Sequence, residues 1–218
     1  ITVGATTLQG DDVAEYSNLG PDPDTGEIKP DIVAPGDYQY KCQGTSFAAP
    51  IVTGAIALMK QKHPTWSIRD IKSALGSTAV PLTKNGKALL PIQQGSGRID
   101  ALKAINTNTL FSCAHLRFDH RRGNLTMRNV GDKPLGYSLQ WIWEGSHEGL
   151  SEQIPSSVLL QPGEEKSLVL LLKTDPTKIT QYWYYPMLRI TTTENQWHIP
   201  IVVEGPGTFE EELGSSLS

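Results

Sequence analysis

The stretch Gln43-Gly44-Thr45-Ser46-Phe47-Ala48-Ala49-Pro50, followed by Ile51-Val52-Thr53-Gly54, limits what this chain can fold into more than any other. Apolar residues at 47, 48, 51, 52, 55, 56, 58 and 59 recur at helical spacing, which predicts a helix from about Ser46 to Lys62. It should stop at His63-Pro64, since a residue before proline resists the α conformation. Being apolar around much of its circumference, it reads as a central, buried helix. Gly44 permits backbone angles that a side chain forbids, so the chain can turn sharply there. Ser46 then stands at the first turn of the helix, where unpaired N–H groups and the positive end of the dipole favour a developing anion. Pro50 is read as falling within the first turn, where a missing N–H costs least. Gly-Thr-Ser before an apolar run is, in its ordinary reading, only a helix N-cap.

Composition narrows the classes. Hydrophobic residues make up 38% of the 218 residues and charged ones 19%, the balance of a folded globular protein. A net charge of -4, with no basic cluster longer than Arg121-Arg122, argues against a nucleic-acid surface. No apolar run reaches the roughly 18 residues needed to span a membrane. Cys42 and Cys113 lie far apart without metal-ligand spacing and leave the redox compartment open. Ile1-Thr2-Val3-Gly4-Ala5 reads as a strand running into a loop, with no signal peptide before it, so the chain is expected to be a piece of a longer or processed protein.

Asp11 to Gly36 is loop chemistry rich in Gly, Pro and Asp, with one short strand at Asp31-Ile32-Val33-Ala34. Ser67 and Asp70 form a capping box that opens a second helix through Ile68, Ile71 and Leu75 to Gly76. Asn85-Gly86 signals a hairpin turn, and Ala101 to Ile105 a short helix. Beyond Asn106 the character changes. Short apolar or alternating runs at 114–118, 124–130, 136–143, 157–160, 166–173, 183–192 and 196–203 are separated by turn signals such as Gln161-Pro162-Gly163-Glu164. About seven strands without a long helix predict a β-sandwich. The tail from Gly205 to Ser218 is acidic and Gly/Ser-rich and is expected to be disordered.

Gly44-Thr45-Ser46-Phe47-Ala48-Ala49-Pro50 closely resembles the nucleophile motif of the subtilisin-like serine proteases, the subtilases. Tyr16-Ser17-Asn18-Leu19-Gly20-Pro21, Lys29-Pro30-Asp31-Ile32-Val33-Ala34-Pro35-Gly36, His63 to Leu75 and Gly95-Ser96-Gly97-Arg98-Ile99-Asp100-Ala101 resemble further segments in the family's order. Ile51 departs from the histidine many members carry after Ala-Ala-Pro, which is not the catalytic base. The resemblance implies an α/β fold over 1–106, the C-terminal portion of a subtilisin-like catalytic domain. Residues 107–204 resemble the fibronectin-III-like (immunoglobulin-like) all-β sandwich that follows the catalytic domain in larger subtilases. The implied function is a secreted or cell-surface serine endopeptidase that cleaves a polypeptide substrate through an acyl-enzyme on Ser46. Gly44, Thr45 and Ser46 form its nucleophile and oxyanion motif. It requires no cofactor and no catalytic metal, though a structural calcium is compatible with the family.

A serine hydroxyl needs a base and an acid that orients it. In subtilisin-type enzymes both precede the serine, yet the first histidine here is His63. The Asp, the His and the oxyanion Asn are therefore expected upstream of residue 1, in a missing N-terminal part of the domain, and the chain alone is expected to be inactive. An α/β-hydrolase alternative would use Asp100 with His115 or His120 after Ser46. A third reading makes the sandwich the working part of a non-catalytic adhesion or docking protein. His63 reads as a C-terminal helix cap, and His115, His120, His147 and His198 as surface residues of the sandwich. Asp31 reads as a turn-stabilising carboxylate or a cation ligand, and Cys42 as a buried thiol beside the site. Trp141 and Trp143 share one face of a strand, either as core or domain-interface packing or as a sugar or peptide platform.

Overall fold

The computed structural model describes residues 1–8, 12–24, 26–38, 42–118, 121–143, 147–175, 177–179 and 183–204; the tail at 205–218 lies outside the described residues. The first part of the chain runs β1 (Val3–Thr6), β2 (Ile32–Pro35), β3 (Asp37–Tyr38), β4 (Cys42–Gln43), α1 (Thr45–Lys62), α2 (Ile68–Thr78), β5 (Thr83–Lys84), β6 (Lys87–Ala88), α3 (Pro91–Gln94) and α4 (Ala101–Asn106). The rest is β7 (Thr109–Phe111), β8 (Leu116–Arg117), β9 (Arg122–Asn129), β10 (Leu135–Ile142), β11 (Leu150–Gln153), β12 (Ser157–Leu160), β13 (Glu165–Thr174), β14 (Trp183–Tyr184), β15 (Met187–Thr191) and β16 (Gln196–Glu204). The architecture is an α/β unit followed by a two-sheet sandwich, mostly β overall.

In the α/β unit, β1 and β2 pair in parallel, Val3 opposite Ile32 and Ala5 opposite Ala34. The chain at 97–99 continues the sheet, because Val33 N–H donates to the Gly97 carbonyl at 3.0 Å and Ile99 N–H to the Val33 carbonyl at 2.9 Å. Helix α1 lays Ala48, Val52, Ala55 and Met59 on this sheet. Ala5 and Ala34 are fully buried in the same cluster, and small side chains let helix and strands approach closely. The expectation of an all-round buried helix is corrected. Phe47, Ile51 and Leu58 are 42%, 44% and 54% exposed, since two short strands and a few turns of helix cover only one stripe. Helix α2 opens as expected: Ser67 Oγ accepts from Asp70 N–H at 3.1 Å, and Asp70 Oδ2 accepts from Ser67 N–H at 2.8 Å. Asn85 (φ 53°) and Gly86 (φ 75°) turn the β5–β6 hairpin.

The sandwich packs a sheet ordered β11-β13-β9-β7 against one ordered β12-β10-β15-β16-β14, with β8 added in parallel to β16. Alternation decides which side chains go inside. Leu125 and Met127 of β9, Tyr137, Leu139 and Trp141 of β10, and Leu168, Leu170 and Leu172 of β13 fill one core with Leu188 and Ile190 of β15. Strands β7 and β11 were not legible, the first because it has three residues, all buried, the second because only Leu150 of its four is buried. The run expected at 183–192 divides at Pro186, which cannot donate to a ladder, into β14 and β15.

Strand β16 joins the two units. Residues 197–203 are all buried. Trp197, Ile199, Ile201 and Val203 belong to the sandwich core, while helix α2 packs across the strand. Trp197 Nε1 donates to Thr107 Oγ1 at 2.9 Å, and Trp197 meets Phe111 and Tyr137 ring to ring at 6.5 Å and 5.9 Å. The seam continues along α2: Ser73 Oγ accepts the Phe111 N–H of edge strand β7 at 2.8 Å, and Arg128 pairs with Asp70 at 2.7 Å. A Cβ on Gly76 would fall 2.7 Å from Ala114 Cβ and 2.9 Å from Ser96 Oγ, so the helix backbone lies directly against those side chains. Ser73 is fully buried, so Ser73→Ala strands a buried N–H and should lower the unfolding free energy by about 1–3 kcal/mol. Urea denaturation measures this, and an unchanged midpoint would contradict the assignment.

Candidate active site

The segment that presents Ser46 is a narrow neck. After β2 the chain turns at Gly36 into the β3–β4 hairpin, where Asp37 faces Gln43, and closes as Gly44 N–H donates to the Gly36 carbonyl at 3.0 Å. Gly36 N–H in turn donates to the Thr6 carbonyl at 3.0 Å. A Cβ on Gly36 would lie 2.5 Å from Ala5 Cβ, 2.8 Å from the Tyr16 hydroxyl and 3.1 Å from the Gly44 carbonyl, so only glycine fits. Gly44 then caps α1 with φ 155° and ψ 154°.

This corrects the N-cap reading of the motif. The cap is Gly44, which has no side chain to donate or accept, and no side-chain hydrogen bond closes the helix end. Thr45 and Ser46 are the first two helical residues, and no acidic residue lies in the first turn. Ser46 is exposed, and among the described residues its hydroxyl has no hydrogen-bond partner. Its N–H is among the first-turn donors that a helix leaves unpaired. Pro50 is the sixth helical residue rather than a first-turn one. It withholds the N–H that would otherwise bond the Ser46 carbonyl.

The histidines lie elsewhere. His63 caps the far end of α1, seventeen residues along, about 25 Å from Ser46 by helical rise. Its ring stacks on Trp66 at 3.8 Å and Nε2 meets the Ile105 carbonyl at 2.8 Å. His115 and His198 are not the surface residues the sequence led us to expect. His115 Nε2 lies 3.2 Å from the Asp31 carbonyl and His198 Nε2 lies 2.9 Å from the Ser96 carbonyl, both at the seam. Burial pushes both down to about 4, against the opposing pull of those carbonyls. Asp31 opens β2 at the end opposite Gly36, so His115 is separated from the neck by about five residues of extended chain, some 16 Å. His147 is exposed and stacks on Trp143 at 4.8 Å. His120 lies outside the described residues. Asp100 caps α4, accepting from Lys103 N–H at 3.0 Å. The Asp100 and His115 of the hydrolase alternative are thus engaged elsewhere.

Asp31 is buried, with Lys72 Nζ at 2.9 Å, Lys29 Nζ at 3.6 Å and Thr2 N–H donating at 2.7 Å. Burial raises its pKa, but these three partners outweigh that and hold the carboxyl below its ordinary range. Its donors are those of a structural ion pair. Among the described residues no cluster of three or more His, Cys, Asp or Glu could hold a metal. Asp31, Lys72, Cys113, His115 and Arg117 line a cleft of about 500 Å³ at the seam, with Arg117 paired to Glu204. Cys42 is exposed on the short β3–β4 hairpin instead of buried, and Cys113 is a free thiol that burial pushes up to about 11. Trp141 is buried against Phe118, and Trp143 stacks on it at 5.5 Å, an arrangement of core packing.

Sequence reasoning missed the partners that hold the neck. The Tyr16 hydroxyl donates to Asp37 Oδ1, and burial, then that bond and the Asp37 charge, push the phenol up to about 12. Ser17 Oγ accepts from Ala5 N–H at 3.0 Å. Nothing in the spacing of 16 and 37 announces a contact across 21 residues.

Comparison with known proteins places the first part of the chain among proteases. Residues 1–97 match the model of the subtilase family. The minor extracellular protease Vpr of Bacillus subtilis (strain 168) is 32% identical over 194 residues, 78% of this chain and 24% of Vpr. Subtilisin-like protease SBT3.16 of Arabidopsis thaliana is 30% identical over 130 residues, 50% of this chain and 17% of that protein. Among solved structures, a FixG-related protein from Vibrio parahaemolyticus aligns with a TM-score of 0.39 and 13% identity, covering 46% of this chain and 99% of that one. Residues 1–97 of this chain are a segment of the subtilase family. The chain spans about a quarter or less of the length of these curated relatives.

The seam histidines set a pH dependence. His198 titrates near 4 in the folded chain and near 6.5 when unfolded. The folded state therefore holds the neutral ring, and Lys103 and Arg189 disfavour the charged one. The stability this contributes is complete above pH 6.5 and falls as the pH drops towards 4, by about 1.4 kcal/mol per unit. His198→Gln keeps a neutral donor and should flatten that slope in urea titrations between pH 7 and 5; an unaltered slope would contradict the assignment.

Proposed function

We propose that this chain carries the nucleophile segment of a subtilisin-type serine endopeptidase, with Ser46 forming the acyl-enzyme. The observation that carries the reading is an exposed serine whose hydroxyl has no hydrogen-bond partner among the described residues. It sits at the N-terminal end of an 18-residue helix, inside the residues that match the subtilase family. That position offers the Ser46 N–H and the helix dipole to an oxyanion.

The catalytic Asp and His and the second oxyanion donor, an Asn side chain, lie upstream in this reading. The exposed stripe of Phe47, Ile51 and Leu58 on α1 supports it. An apolar helix face of that length is the kind of surface that a further layer of the same domain buries. In the assembled site the histidine takes the Ser46 proton as the hydroxyl attacks the scissile carbonyl, then returns it to the leaving amine. The substrate is a polypeptide. The protein is secreted or held at the cell surface, a reading supported by the extracellular designation of the Bacillus relative. The sandwich is a fibronectin-III-like appendage in this reading, seated on α2 through β16.

The chain of residues 1–218 should therefore show no turnover of peptide esters and no labelling of Ser46 by a fluorophosphonate. A full-length protein containing it should be labelled at Ser46, and Ser46→Ala should abolish labelling and drop peptide hydrolysis by about 10⁴-fold or more. Labelling of the short chain would refute the upstream base; absence of labelling in the folded full-length protein would refute the protease reading.

A further inference from the structure

The hairpin neck that delivers Ser46 is held at one point by a side chain from outside it. Tyr16 lies in a turn stapled to β1: Ala14 N–H donates to the Ala5 carbonyl at 2.9 Å, Ser17 N–H to the Ala14 carbonyl at 2.9 Å, and Ala5 N–H to Ser17 Oγ at 3.0 Å. From this turn the Tyr16 hydroxyl reaches the mouth of the hairpin. It donates to Asp37 Oδ1, lies where a Cβ on Gly36 would be 2.8 Å away, and receives the field of the Gly44 N–H. Gly36 and Gly44 are the two residues whose N–H···O=C bond closes the neck, and Ser46 follows Gly44 by two residues.

We propose that Tyr16 and Asp37 are positioning residues for the nucleophile: their hydrogen bond ties the neck to the buried strand β1 and thereby fixes the direction in which Ser46 Oγ points. The inference rests on the reading of Ser46 as the nucleophile. The physical reason is the scarcity of other side-chain anchors among the described residues. Gly36 and Gly44 have no side chains, Gly44 adds no capping bond, and Cys42, Gln43 and Ser46 are exposed. The Gly36–Gly44 bond fixes the neck's width, and the Gly36 N–H bond to the Thr6 carbonyl joins its root to β1 at one point. A phenol from β1's turn on a carboxylate at the start of the hairpin supplies a further constraint, from a side chain, against tilting about that point. Hydrogen bonds to a charged group are about twice as strong as neutral ones. The phenol, pushed up to about 12, remains a donor throughout the neutral and mildly alkaline range. Neither residue touches a reacting atom. Their effect is on orientation, and misplacement of a catalytic group by about 1 Å can cost about 10²-fold in rate.

Two measurements test the proposal. On the chain itself, Tyr16→Phe keeps the ring and removes the donor, and Asp37→Asn keeps an acceptor oxygen without the charge. Amide exchange at Gly44 should accelerate about tenfold in Tyr16→Phe and in Asp37→Ala, while core amides of β1 and β2 stay protected; Asp37→Asn should restore most of the Gly44 protection. In the full-length protein, the same two disruptive variants should lower kcat and the rate of fluorophosphonate modification about tenfold with KM unchanged, Asp37→Asn should remain near the parent, and Tyr16→Phe combined with Asp37→Ala should fall no further than either alone. Unchanged Gly44 exchange in Tyr16→Phe overturns the inference, as does a kcat equal to the parent's. A parent protein that is not labelled at Ser46 overturns the nucleophile reading instead, and the exchange experiment still decides whether the clamp holds the neck.

Discussion

Strand β16 is the constraint on which both units depend, because it has no solvent face. Alternate residues of a strand point to opposite sides. Here Trp197, Ile199, Ile201 and Val203 enter the sandwich core, and His198, Pro200 and Val202 are equally enclosed. A strand covered on both sides cannot shift by one residue without placing His198 in an apolar core and Trp197 against the α/β unit. Register and interface are set together. The polar groups at the seam follow from that enclosure. Trp197 Nε1 must find Thr107, His198 must find the Ser96 carbonyl, and the edge of β7 must find Ser73. A buried donor without an acceptor costs more than an ordinary bond contributes.

The serine segment obeys a different rule. Its geometry comes from close backbone approach, not from large buried side chains. Gly36 against Ala5 and the Gly44 carbonyl leaves no room for a Cβ, and Ala48 packs on a sheet of Ala5 and Ala34. Such packing is stiff but thin, and it places an exposed hydroxyl at a helix N-terminus that lacks both a side-chain cap and a first-turn acid. Each of those would compete for, or repel, an anion forming at that position. The helix that starts there has one stripe buried and its neighbour open, so the same element that presents Ser46 also presents an exposed apolar face.

Much of this was legible beforehand, for physical reasons that differ by element. Helix α2 announced itself through Ser67 and Asp70, whose reciprocal bonds are local, and the β5–β6 turn through Asn85-Gly86, whose positive φ angles few other pairs accept. Strands β9, β10 and β13 were legible because one side of each faces a core. Strands β7 and β11 were too short or too exposed to show a period. His115 and His198 read as surface residues from the sequence because surface positions are the default for histidines in a sandwich. Their burial depends on carbonyls at Asp31 and Ser96, 84 and 102 residues away in the chain.

By itself the sequence determined the local grammar. A glycine turn leads into a serine at the head of an apolar helix, no histidine precedes that serine, and a run of alternating strands follows. Those features depend on neighbours within a few residues, which is the range over which caps, turns and periodicity act. Only the tertiary structure decided which face of α1 is covered, that the cap is Gly44 and not a hydroxyl, that Cys42 is exposed, and that Tyr16 and Asp37 meet at the neck. Each of these is set by what lies across the sheet or beyond the next element. Contacts between residues far apart in the chain leave no period behind them.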